Sequence, residues 1–505
     1  MRQFVPPQRA TSMGPSDGDM DPSSSVGFAG IDSPFAARFP LRPAAELQQS
    51  YGGSDRPTSA KEMATPELIR PSPGNPSRQS EPQTAMFNLL ATIVGGGVLS
   101  LPYALQLTGV VTGIVLIALA AVAGDFSLYM LCSCARRTGQ ISYVQVGHAA
   151  FGAAGSFVTT AMLMVLTLFV IVAYMVLVRD IWAGLVSLAV GHALGADERN
   201  QVLFVALAVV FPMCLAKDLH ALRHFCYVGF LSAVVLTVAL GYRSVGANQA
   251  YPEAKLGLKL SADSWGDIYE AFPILCLSYL CHFNILSVHS QFVNPTRERL
   301  RGLLHGTLGL TAALYITLAL CGYLYAYGDT KDDILLNFEP GDRVILLGRV
   351  GMGMTMLVAI TVLVLPSRDI WLSVISFVGT SVQRCFGDPD YLPVDGVEAT
   401  PGGTPVATLS ACIEAVRHVL VTVAIMGFCL YCALSVPGVA VVWSICGSSV
   451  GFMICYLLPA VFYLKIRWHK AFNMRKAGAW LVVAVSSTAM VICTRHAVNK
   501  AMMVV

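Results

Sequence analysis

The stretch Ala91-Thr92-Ile93-Val94-Gly95-Gly96-Gly97-Val98-Leu99-Ser100-Leu101-Pro102 lies inside an apolar run from about 86 to 108. A run of that length reads as a helix crossing a bilayer, since about 20 residues rising 1.5 Å each cover the hydrocarbon core. Three consecutive glycines cost such a helix roughly 1 kcal/mol each relative to alanine. A helix interrupted at membrane depth persists only where its freed backbone groups meet protein, water or a ligand. The run therefore has two readings. One is glycine that lets a neighbouring helix pack closely. The other is an unwound binding segment whose free N–H groups, at the start of the second half-helix, suit a carboxylate.

Outward from this stretch the same apolar length recurs. Eleven spans are expected, at about 86–108, 111–134, 156–190, 201–216, 222–245, 268–292, 304–327, 344–372, 411–434, 438–464 and 478–495. The runs are continuous, without the strict alternation over about 10 residues that a membrane β-barrel needs. The fold class is thus an all-α polytopic membrane protein. Composition agrees: 55% of the 505 residues are hydrophobic and 12% charged, about half the charge of a soluble domain. A net charge of +3 without a basic face excludes nucleic acid as a partner. Most of the 14 cysteines fall within the apolar runs, where a thiol behaves as a small hydrophobe. Residues 1–84 differ, being rich in Ser, Pro, Gly and Asp, with no signal-peptide core. They read as a disordered tail, followed by a transmembrane domain over 85–505. Within that domain, about 383–410 reads as a flexible loop.

Lys and Arg in short loops set orientation. Arg136 and Arg137 follow span 2, Lys217 and Arg223 follow span 4, Arg297, Arg299 and Arg301 follow span 6, and Lys465, Arg467, Lys470, Arg475 and Lys476 follow span 10. All four loops fall on one side, which is expected to be cytosolic and to hold the N-terminus. The loop after span 7 is acidic, with Asp329, Asp332, Asp333 and Glu339, and falls on the other side.

A second interruption is expected in span 6, Ala271-Phe272-Pro273-Ile274-Leu275-Cys276-Leu277-Ser278-Tyr279-Leu280-Cys281-His282-Phe283-Asn284. Pro273 removes a backbone donor, and Ser278, Tyr279, His282 and Asn284 place polar groups at a depth where they face a cavity or a partner helix. Interrupted helices in matching positions of two halves mark the central site of a transporter. Spans 1 and 6 begin the halves 1–5 and 6–10, and five spans per half, an odd number, make the repeat inverted.

These residues resemble the amino acid/auxin permease family, which includes sodium-coupled neutral and vacuolar amino acid transporters. Phe87-Asn88-Leu89 with Ile93 to Ala104 resembles its first helix. Phe211 to Leu219, Cys281-His282 with Gln291-Phe292, Gly322-Tyr323 with Tyr327-Gly328, and Arg349 with Pro366-Ser367-Arg368 resemble later motifs in order, over about 85–465. The resemblance implies a LeuT-like inverted five-plus-five bundle with one added helix, of the amino acid–polyamine–organocation superfamily. It implies an amino acid substrate, no cofactor and no enzymatic step. The expected substrate contacts are Gly95, Gly96 and Gly97 for the carboxylate, Ser278 and Tyr279 for the amine, and Thr92, Tyr174 and Thr355 beside them. In sodium-coupled members an amide in span 1 and a hydroxyl in span 8 help hold the ion. The matching positions here are Ala91 and Ala359, and a methyl group cannot ligate a hard cation. Thr92 and Thr361 are the adjacent oxygens. The resemblance thus implies proton coupling or uncoupled exchange. Asp125 and His282 are the proton-coupling candidates, each with a plain structural reading as an interhelical hydrogen-bond partner.

A receptor bundle needs seven spans, no P-loop for ATP-driven transport is present, and an acyltransferase built on His282 lacks a second catalytic partner. An amino-acid sensor on the same fold, signalling through the tail, is the alternative; truncation before about residue 80 separates the two. The membrane is either the plasma membrane or a vacuolar or lysosomal one.

Overall fold

A computed structural model of the chain describes residues 80–215, 225–250, 257–293, 296–386 and 405–504. The tail up to residue 79, the basic pair Lys217 and Arg223, and most of the 383–410 loop lie outside the described residues. The boundaries move slightly. Span 1 already begins at Pro82, because proline fits the first turn of a helix. Span 8 runs on through Phe386 and span 9 starts at Pro405, which narrows the expected loop.

The described residues are helical apart from loops and one isolated bridge, Ser80 to Phe292. Among the described residues, nine helices are long and apolar enough to cross a membrane, and the pair Pro82–Ile93 and Gly96–Thr108, bent by 55°, makes a tenth. The helix in fourth position, Ala196–Cys214, has 19 residues and carries Asp197 and Glu198 in its first turn, so the expected eleventh span rests on that short helix. Span 3 is longer than expected, Tyr143–Val190, because a short helix precedes it across Phe151 and Gly152. Gly152 has φ +64° there, a left-handed conformation that glycine tolerates.

Span 6 is central: 78% of its most apolar stretch is buried, against 17% for span 11, which lies at the periphery. Span 6 consists of Trp265–Leu277 and His282–Gln291, interrupted over 278–281. Pro273 does not cause the interruption; it sits inside the first helix, and Gly447 of span 10 packs against its carbonyl. Span 6 packs on the second half of span 1 and on span 10, while span 8 packs on spans 3 and 5. Two motif arginines, both buried, tie a loop and the end of the fourth helix to span 8. Arg349 donates to the carbonyls of Leu335, Phe338 and Glu339 at 2.8, 3.0 and 3.3 Å. Arg368 donates to the Cys214 carbonyl at 2.9 Å.

Candidate functional site

The glycine run unwinds. Val94 leaves the helical region at φ −80°, ψ 83°, Gly95 is extended at φ −120°, ψ −154°, and a tight 3-10 turn follows over Gly96–Ser100. The opening N–H groups of such a turn have no partner within it, so those of Gly96 and Gly97 head the second half of span 1. Glycine is required by span 3. A Cβ on Gly95 would lie 2.7 Å from the Tyr174 hydroxyl, and one on Gly96 would lie 2.7 Å from both Leu177 Cδ1 and Tyr174 Cε1. The run thus packs closely on one face and has an opened backbone over Val94–Gly95.

Opposite stands the break in span 6. A Cβ on Gly97 would lie 3.4 Å from Ser278 Oγ, which places the two breaks side by side. Tyr315 of span 7 ties them together. Its buried hydroxyl shares its proton between the Ile93 carbonyl at 3.0 Å and the Ser278 carbonyl at 2.9 Å. On the other side of the break, the Asn284 amide donates to Thr92 Oγ1 at 2.8 Å, and that hydroxyl donates to the Asn88 carbonyl at 2.8 Å.

Between the breaks lies a cavity of about 470 Å³, inside the roughly 300–1,000 Å³ range of small-molecule sites. Thr92, Gly95, Gly96, Gly97, Tyr174, Ser278 and Thr355 all line it, together with Asn284, Ala91, Ala359 and Trp443. Among the described residues, no charged side chain lines it. Trp443 of span 10 meets Tyr174 edge to face, with ring centroids 6.1 Å apart. The lining extends along the first half of span 1, the second half of span 6 and the end of span 8 to Ile370, and so runs toward the basic side.

Three expected residues lie elsewhere. Tyr279 is buried against Tyr315, ring centroids 5.2 Å apart, and its hydroxyl has no hydrogen-bond partner among the described residues. His282 is buried, with Nε2 3.2 Å from Ser127 Oγ of span 2. Asp125 Oδ1 lies 3.0 Å from His305 Nδ1 of span 7. Sequence reasoning missed Tyr315, one of four tyrosines in its apolar run, with no local signal of its role.

The chain matches the family described as "Transmembrane amino acid transporter protein" over residues 78–498. It is similar to "Amino acid transporter AVT6B" of Arabidopsis thaliana, 27% identical over 268 residues that cover 50% of this chain and 58% of that one. "Putative amino acid transporter AAT1" of Toxoplasma gondii is 23% identical, covering 65% of this chain and 46% of that one, so the match spans about half the length of these two relatives. "Putative sodium-coupled neutral amino acid transporter 11" of Mus musculus is 20% identical, covering 82% and 84%. Among solved structures, Mhp1, a nucleobase-cation-symport-1 family transporter, aligns with a TM-score of 0.48 at 13% identity, covering 85% of this chain and 91% of that one. The family match takes in the whole of the helical bundle from span 1 to span 11, and the chain belongs to the transmembrane amino acid transporter family.

Proposed function

We propose that the chain carries amino acids across a membrane by alternating access, with the substrate held in the cavity between the two breaks. One observation carries this reading: a cavity lined by no charged side chain among the described residues is lined by the glycines that open the Gly96–Ser100 turn, whose first N–H groups have no partner within the turn, and by Ser278 and Thr92. A zwitterion needs that pairing. Its carboxylate suits the N–H groups of Gly96 and Gly97, where the backbone dipoles favour negative charge. Its ammonium suits the Ser278 hydroxyl and carbonyl oxygens across the cavity. Thr92, Gly95, Tyr174 and Thr355 form walls. Tyr279 acts at one remove, by packing on Tyr315. The lining around the side-chain space includes Leu163, Leu166, Val170 and Phe283, and a charged side chain would be unpaired there. Neutral amino acids are therefore the substrate class. The similarity to the Arabidopsis thaliana, Toxoplasma gondii and Mus musculus proteins described as amino acid transporters supports an amino acid substrate.

The basic loops support a cytosolic first half of span 1, and on that orientation the cavity faces inward. Coupling is to protons or absent. Ala91 and Ala359 both line the cavity as methyl groups, and the neighbouring hydroxyls are engaged: Thr92 with Asn88 and Asn284, Thr361 with the Leu357 carbonyl at 3.4 Å. Asp125 and His282 are the proposed proton-handling groups. Both act through span 2, Asp125 by its contact with His305 and His282 by its contact with Ser127. The test is uptake of labelled neutral amino acids by the purified chain in liposomes without sodium. Accumulation driven by an inward proton gradient supports coupling, and exchange alone supports an uncoupled carrier. Uptake that rises steeply with sodium at constant pH and voltage overturns the coupling reading.

A further inference from the structure

The acidic side holds a buried carboxyl that the substrate site does not use. The loop between spans 7 and 8 tucks inward. Its turn Ile334–Asn337 packs against the unwound segment Gly96–Ser100 and against span 3. Ile334 is fully buried and reaches Gly322 of span 7, where an added Cβ would lie 3.1 Å from Ile334 Cγ1. Arg349 of span 8 holds the loop by three carbonyls, and Asp332 accepts from the Ala440 N–H in the first turn of span 10 at 3.2 Å. The loop therefore stands between the unwound segment and the acidic side, clasped by five spans.

Asp333 sits at its centre, 0% exposed. One carboxyl oxygen accepts from the Leu335 N–H at 3.0 Å; the other, Oδ2, is buried and has no hydrogen-bond partner among the described residues. Asp180 faces it from span 3, itself paired with Arg179 at 3.2 Å and with Arg199 of the fourth helix at 2.7 Å. Asp332 lies beside it in the loop, and Arg349 faces it from span 8. Tyr103 of span 1, bound to Glu270 at 2.8 Å, faces Asp332. Burial, aided by the Asp180 and Asp332 carboxylates and opposed by the Leu335 N–H and Arg349, pushes the Asp333 carboxyl up to about 8.

We propose that Asp333 is a proton-binding site that latches the outer gate: the loop seats against span 1 with this carboxyl protonated, and the proton leaves to the acidic-side solution when the loop lifts and the cavity opens that way. The proposal rests on the alternating-access reading and adds a gate proton to it, distinct from any proton carried with substrate. Its sign follows from linkage. Once in water, an aspartate returns to a pKa of about 3.9. Between that value and about 8 the seated loop binds more protons than the lifted one. A rise in pH then shifts the equilibrium toward lifting by up to about tenfold per unit, and the effect is flat outside that window.

Hydrogen exchange of the full chain in lipid nanodiscs between pH 5 and 9, corrected for the intrinsic rate, tests this. Amides of 333–338 are expected to lose protection by up to about tenfold per pH unit until about 8 and then level off. Asp333→Asn is expected to abolish the slope. A flat wild-type profile, or a slope retained in Asp333→Asn, overturns the proposal. Should that variant fail to fold, Asp332→Asn decides: loss of one neighbouring negative charge moves the midpoint to lower pH, and an unmoved midpoint overturns it. The readout needs no transport. A flat profile with intact uptake removes the latch alone; a sloped profile without uptake removes the transport reading and keeps the protonated loop.

Discussion

The breaks in spans 1 and 6 meet at one cavity but are made differently. Span 1 opens with three glycines and bends by 55°. Span 6 opens without glycine and stays a single span. Its break keeps the N–H groups of Ser278, Tyr279 and Leu280 occupied, with Ser278 N–H on the Ile274 carbonyl at 3.1 Å and Leu280 N–H on the Leu277 carbonyl at 2.9 Å. What Ser278 brings to the cavity is oxygen. In span 1 the N–H groups that open the Gly96–Ser100 turn have no partner within it. In the proposed reading the carboxylate meets that turn and the ammonium meets the Ser278 oxygens, which is the polarity a zwitterion needs. Gly95 and Gly96 stand there because span 3 leaves no room for a Cβ at either position.

The comparison yields a ranked set of substitutions. The largest effect is expected from Gly96→Ala, whose methyl would crowd Leu177, Tyr174 and Met356. Overpacking of this kind costs about 1–3 kcal/mol, so uptake into proteoliposomes should fall by roughly 10- to 100-fold at about 1.4 kcal/mol per decade. Unchanged uptake would show that the donor break does not depend on its glycines. Next is Tyr315→Phe, which removes the one hydroxyl bridging both breaks. Lost hydrogen bonds to buried carbonyls cost about 1–3 kcal/mol. Uptake should drop about tenfold, with a lowered melting temperature in detergent; a loss of neither would mean that the breaks hold together without it. The smallest effect is expected from Tyr279→Phe. Its hydroxyl is buried without a hydrogen-bond partner among the described residues and lies outside the cavity, so uptake should stay within about twofold and stability should hold or rise. A large loss of uptake would place this hydroxyl at the substrate after all.

Span 1 was legible because its signal is local: glycine is costly in a helix, and three in a row have few other uses. Seven of the eight expected substrate contacts line the cavity for the same reason, since most sit at or beside the two breaks. Tyr279 does not, because a four-residue interruption turns successive side chains to opposite sides, and only the packing decides which one faces inward. The role of Pro273 was misplaced for a related reason: a proline inside a helix can be absorbed where a neighbouring glycine, here Gly447, lets another backbone approach. Tyr315 and Asp333 were illegible as functional residues. A tyrosine in an apolar run looks like core, and an aspartate in an acidic loop looks like solvated surface. The inward tuck of the loop, fixed by Arg349 and by the first turn of span 10, is a tertiary fact that no spacing of residues announces.

The central claim is that the carboxylate of an amino acid is recognised at the donor break. Exchange by the purified chain in liposomes, comparing neutral amino acids with their uncharged carboxamides, tests it most directly. The account predicts that the free acids are exchanged and that the carboxamides are exchanged at least about tenfold more slowly, in line with the loss of a charge-assisted hydrogen bond. Equal exchange of both, or exchange of neither, would contradict it.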